Sequence, residues 1–442
     1  MGGEDRCANH VDCSRSRRPD ARVAAAGLIA LAVARGIGRF AFTPILPMMR
    51  ADAGVSVALG GWLAAANYIG YLAGALSATW LRLSAAATIR VSLLVIGLAT
   101  LAMGVTHDVA AWIVLRAVAG VASAWVLIHA SAWSTERLRR PTLGGVVFAG
   151  VGIGIALAGV TCLALMRIDA RSALAWNVLG IVALVLGAVT WPMFAEREGV
   201  VSAARVASHV PAAPATASDA RTAPDTVRLV LCYGAFGFGY IIPATFLPVM
   251  ARELIEDPAV FGWVWPIFGI AAAVSPIVAA RWSGTHIRRV WIVAHLVMAV
   301  GVALPIVSRG LPGIALAACD VGGTFMVITM AGMQEARRVA GPSAPRLMAA
   351  MTAAFATGQI VGPLCVSGLA GFGVGFAPAL AVAALALGGA PSRWLEGRLR
   401  RRDDQSRMAI TRAGADSVFH FTGSATIFTF EGIWSRLMRF SI

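Results

Sequence analysis

Long apolar runs separated by short polar breaks set the pattern of this chain. Segments long enough to span a bilayer fall at about 22–49, 57–80, 87–106, 109–134, 143–166 and 172–194, and again at about 227–251, 259–281, 286–307, 310–336, 345–369 and 371–391. A hydrocarbon core takes about twenty helical residues per crossing, and only helices or closed barrels satisfy the backbone there. The pattern predicts an all-α membrane protein with twelve transmembrane helices, six on each side of a polar break.

The two sets are related to each other. Gly36-Ile37-Gly38-Arg39-Phe40 with Leu46-Pro47-Met48-Met49 returns 201 residues later as Gly237-Phe238-Gly239-Tyr240-Ile241 with Leu247-Pro248-Val249-Met250, and Gly61-Trp62-Leu63 returns at the same offset as Gly262-Trp263-Val264. Matches in one register point to a duplicated unit whose copies run in the same direction, giving two pseudo-symmetric halves. The expected organisation is a disordered tail at 1–21, a six-helix half at 22–194, a flexible linker at 195–226 with Pro211, Pro214 and Pro224, a second six-helix half at 227–391, and a tail at 392–442. That last tail opens with a basic run, Arg393 to Arg402, suited to anionic lipid headgroups.

Composition narrows the class. Hydrophobic residues make up 58% and charged ones 13%, which excludes an ordinary soluble domain of this length. The net charge of +15 comes from arginines placed between the spans and at the ends, so it reads as topology and not as a nucleic-acid surface. With the amino terminus inside, the inner short loops carry eleven arginines and the outer ones five, so both termini are expected in the cytoplasm. Four of the six cysteines sit inside apolar segments as small hydrophobes, and Cys7, His10 and Cys13 lack a fourth ligand, so no metal is expected. The Gly-X-Gly runs follow no strand and precede no lysine, which leaves no nucleotide loop, no cofactor and no ATP-driven step in view.

Four local runs carry a family resemblance. They are Gly36-Ile37-Gly38-Arg39-Phe40-Ala41-Phe42-Thr43-Pro44, Gly237 to Pro243, Gly322-Gly323-Thr324-Phe325 leading to Gln334-Glu335-Ala336-Arg337-Arg338, and Gly358-Gln359-Ile360-Val361-Gly362-Pro363. Over about residues 22–391 the chain resembles the YbfB/YjiJ branch of the major facilitator superfamily. Arg116 with Gly120 also matches that superfamily's pattern, with Ala119 where glutamine is usual, while the Gly-Pro pair of drug/proton antiporters is missing from the Gly150–Gly154 run. The resemblance implies a major facilitator fold whose helices 1, 4, 7 and 10 line a central cavity. It also implies a monomeric, proton-coupled secondary transporter in a bacterial inner membrane, working by alternating access.

Charges inside a bilayer are expensive and mark candidates for function. Arg35 and Arg39 are four apart and share a face of the first helix, and Arg116 and Asp320 fall in the same depth band. A cavity lined by these cations would select an anionic solute, with Asp320 as the proton-titrating group. The plainer alternative is that Arg39 and Arg116 bond to backbone carbonyls or pair with Asp320 as a strut. The expected substrate-binding set is Arg39, Arg116, Tyr240, Asn67, Tyr71, Thr324 and Gln359, with Glu136, Glu335 and Arg337 as gating residues at the inner helix ends. The expected partners are a small solute, protons and the lipid bilayer. A drug-type exporter, a uniporter, or a non-transporting sensor or scaffold stays open as an alternative. An enzyme is not expected, because no paired carboxylates, Ser/Lys or Cys/His arrangement occurs.

Overall fold

The computed structural model describes residues 20–194 except 79, 82 and 139–142, and residues 219–389 except 256, 281–286, 309 and 373–374. Most of the two expected tails and of the linker therefore lies outside the described residues, as do Cys7, His10 and Cys13.

No strand occurs among the described residues. The helices are α1 (Asp20–Asp52), α2 (Val57–Ser77), α3 (Ala85–Val105), α4 (Val109–Arg137), α5 (Leu143–Met166), α6 (Ser172–Thr190), α7 (Asp219–Leu254), α8 (Val264–Ala279), α9 (Ile287–Val307), α10 (Leu311–Ala340), α11 (Ala344–Gly371) and α12 (Ala377–Gly389). The middle of α1, Ala32–Phe40, is π-helical. Polar residues start the helices where the apolar windows begin: Ser56 accepts from the Leu59 amide at 3.1 Å, Ser84 from Ala87 at 3.2 Å, and Asp108 from Ala111 at 2.8 Å. Each supplies an acceptor to a first-turn N–H that has no partner within its own helix.

Nine helices among the described residues are long and apolar enough to cross a membrane, namely α1, α3 to α7 and α9 to α11. Three of the expected spans fall short of that measure. Helices α8 and α12 are apolar but shorter, α8 because a break at Gly262 and Trp263 separates it from the single turn Pro258–Phe261. Helix α2 has the length but spends positions on Asn67, Tyr68, Tyr71 and glycines. Two expected boundaries also move, since α1 begins at Asp20 and α7 at Asp219, inside the predicted tail and linker. Helix propagates outward through polar residues that an apolar window discards, and Asp225 pairs with Arg228 one turn on, at 3.7 Å.

Polarity is arranged inside out. Arg35, Arg39, Asn67, Arg116, Thr245, His295 and Gln359 are buried, while Leu76, Val114, Val185, Val300 and Leu385 are exposed. That is the distribution of a bundle whose solvent is lipid. Helices α1 and α7 are the most enclosed spans, with 78% and 72% of their most apolar window buried against 33% for α9. Helix α5 packs on α1 and α8, α2 on α4 and α11, and α10 on α7, α8 and α9. The α1–α5 contact depends on small residues, because a Cβ on Gly36 would strike the backbone of Gly154, and one on Gly154 the carbonyl of Ala32.

Candidate functional site: an arginine and tyrosine cluster

The π-helical middle of α1 carries Arg35 and Arg39, which are 3% and 2% exposed. Widened helical turns of this kind recur at functional sites. Arg39 lies over the rings of Tyr68 and Tyr71 on α2, its Cζ 4.5 and 4.7 Å from their centroids, and Arg35 lies 5.1 Å from the Tyr71 ring. Phe40 flanks both guanidiniums, at 5.5 Å from Arg39 and 5.8 Å from Arg35. From α7, Tyr240 and Tyr233 come within electrostatic reach of the pair. The chain has four tyrosines, and all four surround these two arginines.

The guanidiniums are otherwise unsatisfied. Nε and Nη1 of Arg35 and Nε, Nη1 and Nη2 of Arg39 are buried without a hydrogen-bond partner. Cation–π contact offsets part of the lost hydration, but it leaves the in-plane N–H groups open. Around them, Tyr68 shares a 3.1 Å hydrogen bond with Thr245, and Gln359 on α11 donates to the Tyr240 hydroxyl while its own Oε1 has no partner. Tyr240 stacks between Phe325 and Phe355 at 5.0 and 5.5 Å, and Phe40 touches Phe325 and Trp265 at 5.7 and 6.2 Å. The outcome is a buried positive centre with an aromatic wall.

Arg116 and Asn67 are placed differently from the expectation. Arg116 donates to the carbonyls of Leu63 at 3.4 Å, Gly38 at 3.5 Å and Arg39 at 3.3 Å, with its Cζ 4.7 Å from the Phe42 ring. Asn67 donates to the carbonyls of Arg116 at 2.9 Å and Gly38 at 3.4 Å. Their donors serve backbone acceptors at the carboxyl end of the π-helical stretch, where the regular ladder is interrupted. Together they tie α1, α2 and α4 around the cluster, which is the plainer of the two readings of Arg116.

Asp320 and Thr324 do not join the cluster. The Asp320 Cβ stands where a methyl on Gly301 of α9 would touch it, at the α9–α10 seam, and no ion pair among the described residues includes it. The Thr324 hydroxyl is spent on the Asp320 carbonyl one turn back, at 2.6 Å. His129 likewise bonds to the carbonyl of Trp125 in its own helix, at 2.8 Å.

Glu335, with a side chain 1% exposed, accepts from Arg288 Nε at 2.9 Å and from Arg338 Nε at 2.8 Å. Arg337 is exposed and takes no part in these pairs, because it follows Glu335 by two residues and so faces another side of the helix. The side chain of Glu136 lies outside the described residues. Tyr68, Tyr233, Arg288 and Arg338 were not among the expected site residues. The signal that could have found the tyrosines is their scarcity, two on each side of the polar break.

The apolar helices define a membrane protein with a buried polar cluster, and comparison with known families gives its class. The family described as "Uncharacterised MFS-type transporter YbfB" matches residues 31–390, and the chain belongs to it. It is a multi-pass membrane protein of a transporter family. No curated protein matches the chain.

Proposed function

We propose that this protein is a secondary carrier that moves a small organic anion across a bacterial cytoplasmic membrane by alternating access, as a monomer. Helices α1–α6 and α7–α12 are read as six-span halves of one duplicated unit, with both termini in the cytoplasm. The repeat at an offset of 201 residues and the joints of α5 with α8 and α2 with α11 support this reading.

The observation that carries the anion reading is the pair of buried guanidiniums with five unpartnered nitrogens, where α1, α2, α7 and α11 converge. An arginine in the bilayer centre costs roughly 2.5–3.5 kcal/mol on the translocon scale, so two without hydrogen-bond partners are a standing expense. A purely structural arginine would spend its donors on carbonyls, as Arg116 does. Arg35, Arg39, Tyr68, Tyr71, Tyr240 and Gln359 form the proposed binding set, positioned by Arg116 and Asn67.

Protons are the proposed driving ion, with Asp320 as the titrating group. It acts through α10, which also carries Phe325 into the aromatic wall. Glu335 with Arg288 and Arg338 is the proposed ion-pair latch on the cytoplasmic side.

Uptake of labelled organic acids into vesicles of purified protein tests this, with and without an imposed pH gradient. Anion uptake that quickens when the outside is acidic is expected, together with its loss in an Arg39→Gln variant that still inserts. Binding without flux would favour a sensor.

A further inference from the structure

The charge of the cluster specifies its ligand more closely, on the footing of the anion-carrier reading above. Arg35 and Arg39 lie four residues apart on α1, and the ring of Tyr71 lies against both guanidiniums, at 5.1 and 4.7 Å. Among the described residues no carboxylate pairs with either arginine, since Asp320 is at the α9–α10 seam and Glu335 is committed to Arg288 and Arg338. The phenols near them supply hydroxyl donors and acceptors. Among the described residues, then, no carboxylate cancels the two positive charges of the resting site.

We propose that the arginine pair selects a solute with two anionic groups, of the dicarboxylate class, over the matching monoanion. A single carboxylate would neutralise one guanidinium and leave the other buried and uncompensated. Two carboxylates neutralise both, and their four oxygens meet the five open nitrogens of Arg35 and Arg39 in charge-assisted hydrogen bonds. Phe40, which flanks both guanidiniums, is packed among Phe325 and Trp265, so the surroundings of the pair are apolar and favour a hydrocarbon spacer over a hydroxylated one.

The test uses the purified full chain in detergent and acid pairs that differ by one charge: malonate and propionate, succinate and butyrate, phthalate and benzoate. Thermal stabilisation and titration calorimetry are expected to give at least one dianion bound at least about tenfold more tightly than its partner. In Arg35→Gln that preference within the pair should vanish or reverse, while Arg35→Lys should keep it. The half-ester monomethyl succinate, tested on the unaltered protein, should behave as a monoanion, so the comparison stands even where a variant fails to fold. Monoanions that bind as tightly as dianions would overturn the proposal and leave the carrier reading in place. No binding by either member of any pair would overturn both.

Discussion

The hydroxyl of Thr43 on α1 donates to the carbonyl of Ala244 on α7 at 3.0 Å, and the two residues are 201 positions apart, the offset of the internal repeat. Positions related by the sequence repeat thus touch each other. Around this contact Arg252 donates to the Pro47 carbonyl, Arg50 pairs with Glu253 at 3.8 Å, and Tyr68 meets Thr245 at 3.1 Å. Thr43 follows Arg39 by four residues, so these bonds tie α1 and α2 to α7 beyond the arginines, toward the carboxyl end of α1.

Alternating access, as proposed above, has to break these bonds once per cycle. In a background with the six native cysteines replaced, Thr43→Cys with Ala244→Cys should cross-link on oxidation and reduce solute flux to below about a tenth, with recovery on reduction. Undiminished flux in fully cross-linked protein would mean that the α1–α7 contact is a static joint.

Arg116 is expected to act on stability and placement, not on charge selection. Arg116→Ala removes a donor from three carbonyls, of which that of Gly38 keeps Asn67, at about 1–3 kcal/mol for each buried acceptor left unsatisfied. A clear fall in melting temperature is the expected outcome, with the order of preference among anions unchanged in protein that survives. A changed order at unchanged stability would put Arg116 in contact with the solute after all.

Asp320→Asn separates the coupling step from binding. Affinity for the solute, measured by calorimetry, should stay within about twofold, because Asp320 faces Gly301 and not the cluster. Uptake should lose its response to a pH gradient. A gradient response equal to that of the native protein would remove Asp320 from the mechanism.

Gly36→Leu should destabilise the bundle by about 1–3 kcal/mol or prevent its assembly, since even a Cβ at that position would meet the Gly154 backbone. Gly144→Leu, at a glycine with open space around it, is the control and should have little effect on the melting temperature.

Much of this molecule was legible in the chain. Long apolar runs marked the helices, and the motifs from Gly36 to Pro363 carry the family resemblance. Arg39, Tyr71 and Tyr240 were singled out, and the structure brings them together. What the sequence could not supply was the direction in which a side chain points. Depth along a helix placed Asp320 level with the arginines, yet rotation about the helix axis turns it to the α9–α10 seam. Arg116 and Asn67 were legible as buried polar residues, but their partners are carbonyls next to the π-helical stretch, which no residue pattern announced. Helix α2 was legible as a span and through Asn67 and Tyr71, but Tyr68, three residues before Tyr71 on the same face, was not singled out. Of the two arginines that follow Glu335, Arg338 lies one turn on and pairs with it, while Arg337 faces another side of the helix.

The central claim is that Arg35 and Arg39 hold the anionic groups of the solute. Its most direct test is the anion-dependent rise in melting temperature of the unaltered protein, compared with that of the double variant Arg35→Gln with Arg39→Gln. The account predicts a saturable rise in the unaltered protein and none in a folded double variant. The same rise in both would contradict it.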